Sequence, residues 1–156
     1  MAANKYLQQA TGAFRPIQAS DLSTALQSFT ATSGVNSTST TTNFTLVPGC
    51  TLTQGSSGVW LVTATTIFYG GAGASIWWAQ ITDATTTVSS AVNIATAISQ
   101  TSAGGYDTVA LSGIVTSPTS QITLRYTPNL PSAGLVYTAA STSVGYGSSI
   151  TAVRIG

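Results

Sequence analysis

The chain is nearly without charge, and two residue types that often serve in catalysis are missing from it. Charged residues make up only 4% of its 156 residues, against about 25% in an ordinary globular protein. Histidine and glutamate are absent, so the acidic residues are Asp21, Asp83 and Asp107. General acid–base catalysis draws mainly on histidine and on carboxylates, and these three aspartates lie in an N-terminal arm and at turn or strand-end positions. We therefore expect that the chain is not an enzyme, and the sequence predicts no cofactor and no metal site.

The scarcity of charge also limits which partners the chain can bind. A net charge of +1 excludes the phosphate-neutralising surface that nucleic-acid binding requires. An almost uncharged surface also gives little electrostatic protection against association. Such a surface is typical of a protein that is held in a defined assembly, or that works outside the cell among glycans and envelopes. We expect no nucleic-acid partner.

Cysteine and long apolar runs are scarce as well. A single cysteine, Cys50, excludes an intrachain disulfide. Without a histidine to act as its base, Cys50 is interpreted as a small buried hydrophobic residue and not as a catalytic thiol. The first residues lack the apolar run of a signal peptide, and no stretch reaches the roughly 18 apolar residues of a transmembrane helix. We expect no membrane insertion, and we expect synthesis in a cytoplasm, with exit as part of a particle if the chain acts outside the cell.

The chain is rich instead in alternating apolar, β-branched and aromatic residues, most clearly between Gly58 and Tyr69. Alternate side chains of a strand point to opposite faces. One face of this stretch carries Trp60, Val62, Ala64, Thr66 and Phe68. The other carries Val59, Leu61, Thr63, Thr65, Ile67 and Tyr69. The first face is mainly apolar and the second is mixed, which predicts a central strand with a core on one side and partial cover on the other.

The period of two continues to the end of the chain, with turn signals between the apolar stretches. These patterns predict eight or nine short strands in residues 29–156 and no helix of core size. The expected fold is therefore an all-β antiparallel sandwich or barrel. Residues 1–28 lack such a pattern and are interpreted as an extended N-terminal arm, since Pro16 disfavours a helical conformation at Arg15.

Two local patterns give further predictions. Pro48-Gly49 is interpreted as a turn that ends the strand before it. Trp77 and Trp78 follow one another in a predicted strand. Because they face opposite ways, we expect one in the core and the other against a loop, a neighbour or a ligand.

Several stretches resemble, in the same order, those of jelly-roll proteins in the virions of tailed phages. Thr51-Leu52-Thr53 and Gly58–Ala64 are similar to the "Leu-Thr-x-Gly-x-Trp-Leu-Val-x-Ala" strand pair of such domains. The later stretches that agree are Ile81–Thr87, Leu111–Val115, Gln121–Arg125 and Ser149–Ile155, and Thr11–Ile17 looks like linkers found upstream of phage fibre domains. The resemblance covers roughly residues 44–156. It implies a jelly-roll β-sandwich, usually trimeric, of the type found in tumour necrosis factor and complement-type domains.

The resemblance further implies a structural virion protein, either a capsid decoration protein or a head fibre. No long repetitive shaft precedes the jelly roll, which favours direct attachment to the major capsid protein or to a spike or fibre base protein at the virion surface. On this hypothesis the arm docks through Phe14, Arg15, Pro16 and Ile17. A homotrimer interface would form on the mixed face of the central strand, through Val59, Leu61, Ile67 and Tyr69.

The alternative is a receptor-binding or glycan-binding domain at the tip of a tail fibre, with a host surface glycan as its partner. Aromatic side chains near loops can stack on sugar faces, and the sequence offers Trp77, Trp78 and Tyr106 for this contact. A sandwich of this size also needs large side chains in its core or in a subunit interface. The sequence alone leaves both roles open for these aromatic residues.

Overall fold

A computed structural model of the chain shows a protein built from β-strands. It describes residues 6–8, 14–16, 28–32, 43–71, 74–83, 92–119, 121–129, 134–137 and 147–156. The strands in these residues are β1 (Tyr6–Gln8), β2 (Phe14–Pro16), β3 (Ser28–Thr32), β4 (Thr45–Leu52), β5 (Val59–Gly70), β6 (Ser75–Asp83), β7 (Val92–Thr101), β8 (Tyr106–Thr116), β9 (Ile122–Pro128), β10 (Gly134–Tyr137) and β11 (Ser149–Arg154). Across the ranges just given, no helix is long and apolar enough to cross a membrane.

Nine of these strands, β3 to β11, form two antiparallel sheets. The first has the order β8-β5-β11-β3, and the short β10 also pairs with β5, beyond the end of β11. The second has the order β4-β9-β6-β7. Most neighbours in each sheet come from distant parts of the chain, as in the double-sheet jelly roll. The predicted all-β jelly-roll sandwich is therefore confirmed.

The stretch with the clearest alternation of side chains forms β5, the central strand of the first sheet. β8 pairs with β5 from Val59 to Tyr69, while β11 and β10 share the opposite edge of β5. The residues predicted to face the core are all buried, namely Trp60, Val62, Ala64, Thr66 and Phe68. A strand paired on both edges has no free backbone groups to satisfy with water, which suits its β-branched and aromatic composition.

The core lies between the two sheets and is built around aromatic rings from both. Trp77 of β6 stacks on Phe68 of β5, with ring centroids 4.9 Å apart, and its centroid lies 6.3 Å from that of Tyr126 on β9. The indole Nε1–H of Trp77 donates to the hydroxyl of Thr101 at 3.1 Å. A buried indole needs such an acceptor. Cys50 is buried in the same core, as the sequence predicted.

The predicted turn at Pro48-Gly49 is wrong. β4 runs through both residues, and its register against β9 shifts between Leu46 and Thr51. Gly49 has a φ of 79°, which glycine adopts at little cost, so the strand takes up the dipeptide as a bulge. Pro48 is tolerated because β4 lies at the edge of its sheet, where a missing N–H breaks no central ladder.

The N-terminal segment contains a small hairpin of its own. β1 and β2 pair with each other, Tyr6 opposite Pro16 and Gln8 opposite Phe14. Within the described part of the chain, they join neither main sheet. The extended conformation predicted around Pro16 is therefore present, but in a paired strand.

Candidate functional site

The outer side of the first sheet presents the mixed face that the sequence predicted for β5. We call it the β5–β8 face. Its side chains point away from the core and come from β5 and β8 with their neighbours on β3 and β11: Thr30, Val59, Leu61, Thr63, Thr65, Ile67, Tyr69, Tyr106, Thr108, Ala110, Ser112, Ile114, Thr116, Ser149, Thr151 and Val153. None of these side chains is charged.

Hydroxyl groups form a row across the middle of the β5–β8 face. The strand registers place Thr30 opposite Thr151, Thr151 opposite Thr63, and Thr63 opposite Ser112. The first two hydroxyl oxygens lie 3.1 Å apart and share a hydrogen bond. Neighbouring strands are about 4.8 Å apart, so the row runs across four strands as a neutral, weakly polar surface.

An apolar row lies beside the hydroxyls. Leu61 sits between Val153 and Ile114 in the register, and Leu61 and Ile114 are 37% and 63% exposed. At the other end of the face, the rings of Tyr69 and Tyr106 lie 4.9 Å apart at 41°. Exposed apolar side chains gathered on one neutral face are typical of a surface that another molecule covers.

The four residues predicted for the oligomer interface all lie on this face, but they differ in exposure. Leu61 is exposed, and Val59 and Tyr69 are half-buried. Ile67 is only 4% exposed, so its predicted place in an interface needs correction: its own subunit already covers it, and it has little surface left to offer. It lines a cavity of about 410 Å³ together with Thr65, Thr108, Gly147 and Ser149.

The outer side of the second sheet carries a different surface, which we call the β6–β7 patch. Its six side chains come from cross-strand pairs: Ile76 opposite Gln100, Trp78 opposite Ile98, and Gln80 opposite Thr96. The three β6 side chains are half-buried and the three of β7 are exposed. Ile98 is 65% exposed, the largest value among the big hydrophobic residues that the structure describes.

The structure separates the three aromatic residues predicted for glycan contact. Trp77 is fully buried between the sheets, so this part of the prediction is corrected, because a ring packed on Phe68 cannot reach a ligand. Trp78 lies on the β6–β7 patch and Tyr106 on the β5–β8 face. The two remaining aromatic residues are therefore on opposite sides of the sandwich and cannot form one site.

The charged residues of the sandwich serve as internal connections. Asp83 accepts hydrogen bonds from the backbone N–H of Thr119 at 2.7 Å and from the hydroxyl of the same residue. Asp107 accepts from the hydroxyl of Ser99, which ties β8 to β7. Nowhere in the described ranges do three His, Cys, Asp or Glu side chains come close enough together to hold a metal ion. Asp21 lies outside these ranges.

Arg125 is buried on the outer side of the second sheet, at 2% exposure. Its Nε–H donates to the hydroxyls of Thr82 at 3.0 Å and Thr123 at 3.3 Å, and these two hydroxyl oxygens lie 2.8 Å apart. Burial lowers the pKa of this guanidinium below its usual value, because the charged form loses solvation. The arrangement joins the two neighbouring strands β6 and β9 through polar side chains.

Three of the predicted docking residues lie in the N-terminal hairpin. Phe14, Arg15 and Pro16 make up β2, and Ile17 lies outside the described residues. Among the strands that the structure describes, β2 pairs only with β1, so these residues belong to an element that is separate from both sheets.

Two functional candidates were not predicted from the sequence. Ile114 is the one large aliphatic residue in the outward set of β8, and the alternation of that strand was a usable signal for it. Ile98 had no such signal, since its place beside Trp78 depends on the register of β7 against β6. Pairing between distant strands is a tertiary property that strand periodicity does not encode.

Comparison with known proteins supports the fold and leaves the family open. No protein-family model matches the chain, and no curated protein matches it by sequence. Among solved structures, that of Eiger TNF from S. frugiperda is similar, with a TM-score of 0.55 and 9% identity, covering 85% of this chain and 94% of that one. The crystal structure of murine APRIL at pH 5.0 is also similar, with a TM-score of 0.56 and 10% identity, covering 83% of this chain and 98% of that one. The chain therefore has a TNF-like jelly-roll fold.

Proposed function

We propose that the chain is a non-enzymatic structural protein of a tailed phage or phage-like particle, a capsid decoration or head-fibre protein on the virion surface. It assembles as a homotrimer through the β5–β8 face and attaches through its N-terminal arm to the major capsid protein or to a spike or fibre base protein. The observation that carries the proposal is the β5–β8 face itself, an uncharged sheet surface with exposed Leu61 and Ile114.

A second copy of the chain fits this face better than a charged partner does. The centre of a protein interface is depleted of charge and enriched in aromatic and apolar groups, as this face is. Self-association usually follows a closed symmetry, which prevents growth into fibres. A trimer would cover Leu61, Ile114 and the tyrosine pair, and it would also enclose the cavity beside Ile67.

The N-terminal hairpin supports the attachment part of the proposal. A two-stranded sheet is only marginally stable alone in water, and β1–β2 joins neither sheet of the sandwich. Docking onto a surface of the particle would stabilise it. Each trimer would then hold the particle at three points, and the added contacts would strengthen the shell against internal pressure.

The experiment combines the oligomeric state with the location. Native mass spectrometry of the full chain and of a variant lacking residues 1–28 should give trimers in both cases. Only the full chain should pellet with purified capsids, because the arm makes the contact. Antibody labelling in electron microscopy should then decorate the head. A monomer, or a label restricted to the tail tip, contradicts the proposal, and the tail-tip label favours the receptor-binding alternative.

A further inference from the structure

The β6–β7 patch combines an aromatic ring with neutral polar groups on the outer side of the second sheet. Trp78 is half-buried in its centre, with the exposed side chain of Ile98 opposite. Gln80 and Thr96 lie at one end and Gln100 at the other. A strand rises about 3.3 Å per residue, so the patch is about 13 Å long from Ile76 to Gln80.

The polar groups of this patch have unused hydrogen-bonding capacity. Thr96 accepts from the Asn93 amide at 2.7 Å and from the Gln80 amide at 3.5 Å, which leaves its own O–H free to donate. Among the described contacts, neither the Trp78 indole N–H nor the Gln100 amide has a protein partner. Ligand sites combine apolar and aromatic side chains with a few polar groups that fix the orientation of the ligand, and this patch has the same combination of groups.

We infer that the β6–β7 patch binds a neutral carbohydrate. The face of Trp78 stacks on the apolar side of one sugar ring, with Ile98 extending the contact. The indole N–H, the Thr96 hydroxyl and the amides of Gln80 and Gln100 bond to the sugar hydroxyls. This site goes beyond the proposed role as a structural protein and does not depend on it.

The composition of the patch distinguishes a sugar from other occupants. Its six side chains carry no charge. The adjacent Arg125, opposite Gln80 on β9, is only 2% exposed, and its Nε–H is bonded to the hydroxyls of Thr82 and Thr123. The patch therefore presents no exposed cationic group to a phosphate or an acidic peptide, which need one. A stable protein interface needs about 20–30 residues on each side, far more than this patch supplies. A neutral polyhydroxylated ligand matches both its size and its alternation of apolar and hydrogen-bonding groups.

The position of the patch leaves it available in the proposed trimer. It lies on the outer side of the second sheet, and the β5–β8 face lies on the outer side of the first. A copy packed on the β5–β8 face therefore leaves the exposed part of Trp78 accessible. A trimer would present three such sites, which raises avidity for a repetitive polysaccharide.

Tryptophan fluorescence gives a direct test with the full chain. Trp60 and Trp77 are buried at 1% and 0% exposure, so a ligand-induced change in emission reports Trp78. Malto-, cello-, manno- and chito-hexaose are titrated separately up to about 10 mM, a range that covers the weak affinity of a shallow site. We expect at least one of these oligosaccharides to change the emission with saturation.

The variants locate the binding by an independent method, isothermal titration calorimetry with the same oligosaccharide. Trp78→Ala should weaken binding by about tenfold or more, equivalent to about 1.4 kcal/mol, and Trp78→Phe should retain most of it because an aromatic face remains. Ile98→Ser should weaken binding several-fold, and Ile114→Ser, a matched change on the opposite face, should leave the affinity per site unchanged. The melting temperature of each variant shows that it is folded.

Two results overturn the inference. If none of the four oligosaccharides changes the emission, the patch is not a neutral-carbohydrate site. If one binds and Trp78→Ala binds it as tightly as the parent chain, the ligand lies elsewhere. Neither result bears on the trimer or on capsid attachment, so a failure here is distinguishable from a failure of the proposed function.

Discussion

Ile114 allows the proposed trimer to be tested by a single substitution with a matched control. Its side chain is 63% exposed on the β5–β8 face, and that of Ile98 is 65% exposed on the opposite side of the sandwich. The two residues have the same side chain, both lie in strands, and their exposures are nearly equal. Ile114→Ser should dissociate the trimer, and Ile98→Ser should not, because only the first removes apolar surface from the proposed interface.

The size of the effect follows from the exposed fraction of Ile114. Burying a whole isoleucine side chain contributes about 1.5–3 kcal/mol, and roughly two-thirds of that remains to be gained by Ile114 in an interface. The loss is then about 1–2 kcal/mol per subunit and about 3–6 kcal/mol per trimer. At 1.4 kcal/mol per factor of ten, the trimer dissociation constant should rise about 10²–10⁴-fold. The stability of the single subunit should change little, since substitutions at exposed positions usually do.

Sedimentation velocity over a range of protein concentrations measures this shift. The parent chain and Ile98→Ser should sediment as trimers at concentrations where Ile114→Ser sediments as monomers. Urea denaturation of the monomeric variant should give a cooperative transition, which shows that the subunit is intact. Equal sedimentation of all three proteins would refute the assignment of the interface to the β5–β8 face.

Two further predictions concern the core and the sheet edge. Trp77→Ala should lower the free energy of unfolding by about 3–5 kcal/mol, because the ring is fully buried and stacked on Phe68 at 4.9 Å. Trp78→Ala should lower it by about 1–2 kcal/mol, because that ring is only partly buried. Urea denaturation of both variants checks the contrast, and equal losses would contradict the placement of the two rings. Gly113→Ala should lower the free energy of unfolding by about 1–3 kcal/mol. β8 passes close to β7 there, and a Cβ at this position would lie 2.6 Å from the Ile94 Cγ2 and 2.9 Å from the Ile94 carbonyl oxygen. A thermal melt equal to that of the parent chain would show that β7 can move aside.

The mixed face of β5 shows how far strand alternation carries a functional prediction. It correctly separated the buried set from Trp60 to Phe68 from the outward set, because opposite faces of a strand alternate at every residue. It could not show that Ile67, in the outward set, is already covered within its own subunit. The burial of Ile67 depends on tertiary packing over the end of β5. Ile114 of β8 is instead the more exposed apolar neighbour of Leu61.

Trp77 and Trp78 show the same limit of prediction from strand alternation. Their adjacency in a strand predicted that one would enter the core and one would not, but it could not say which. The orientation of β6 in its sheet decides this, since a register shift of one residue exchanges the two faces. The choice placed Trp77 on Phe68 and left Trp78 beside Ile98.

The sequence by itself determined the fold class, the identity of the central strand and the scarcity of charge on the outer surfaces. These are local or compositional properties, set by the alternation of side chains and by the near absence of charged residues. Tertiary structure alone decided which residues share a surface. The β5–β8 face and the β6–β7 patch each unite side chains from strands that pair only when the sheets form, because the hydrogen bonds that set the register lie between distant segments of the chain.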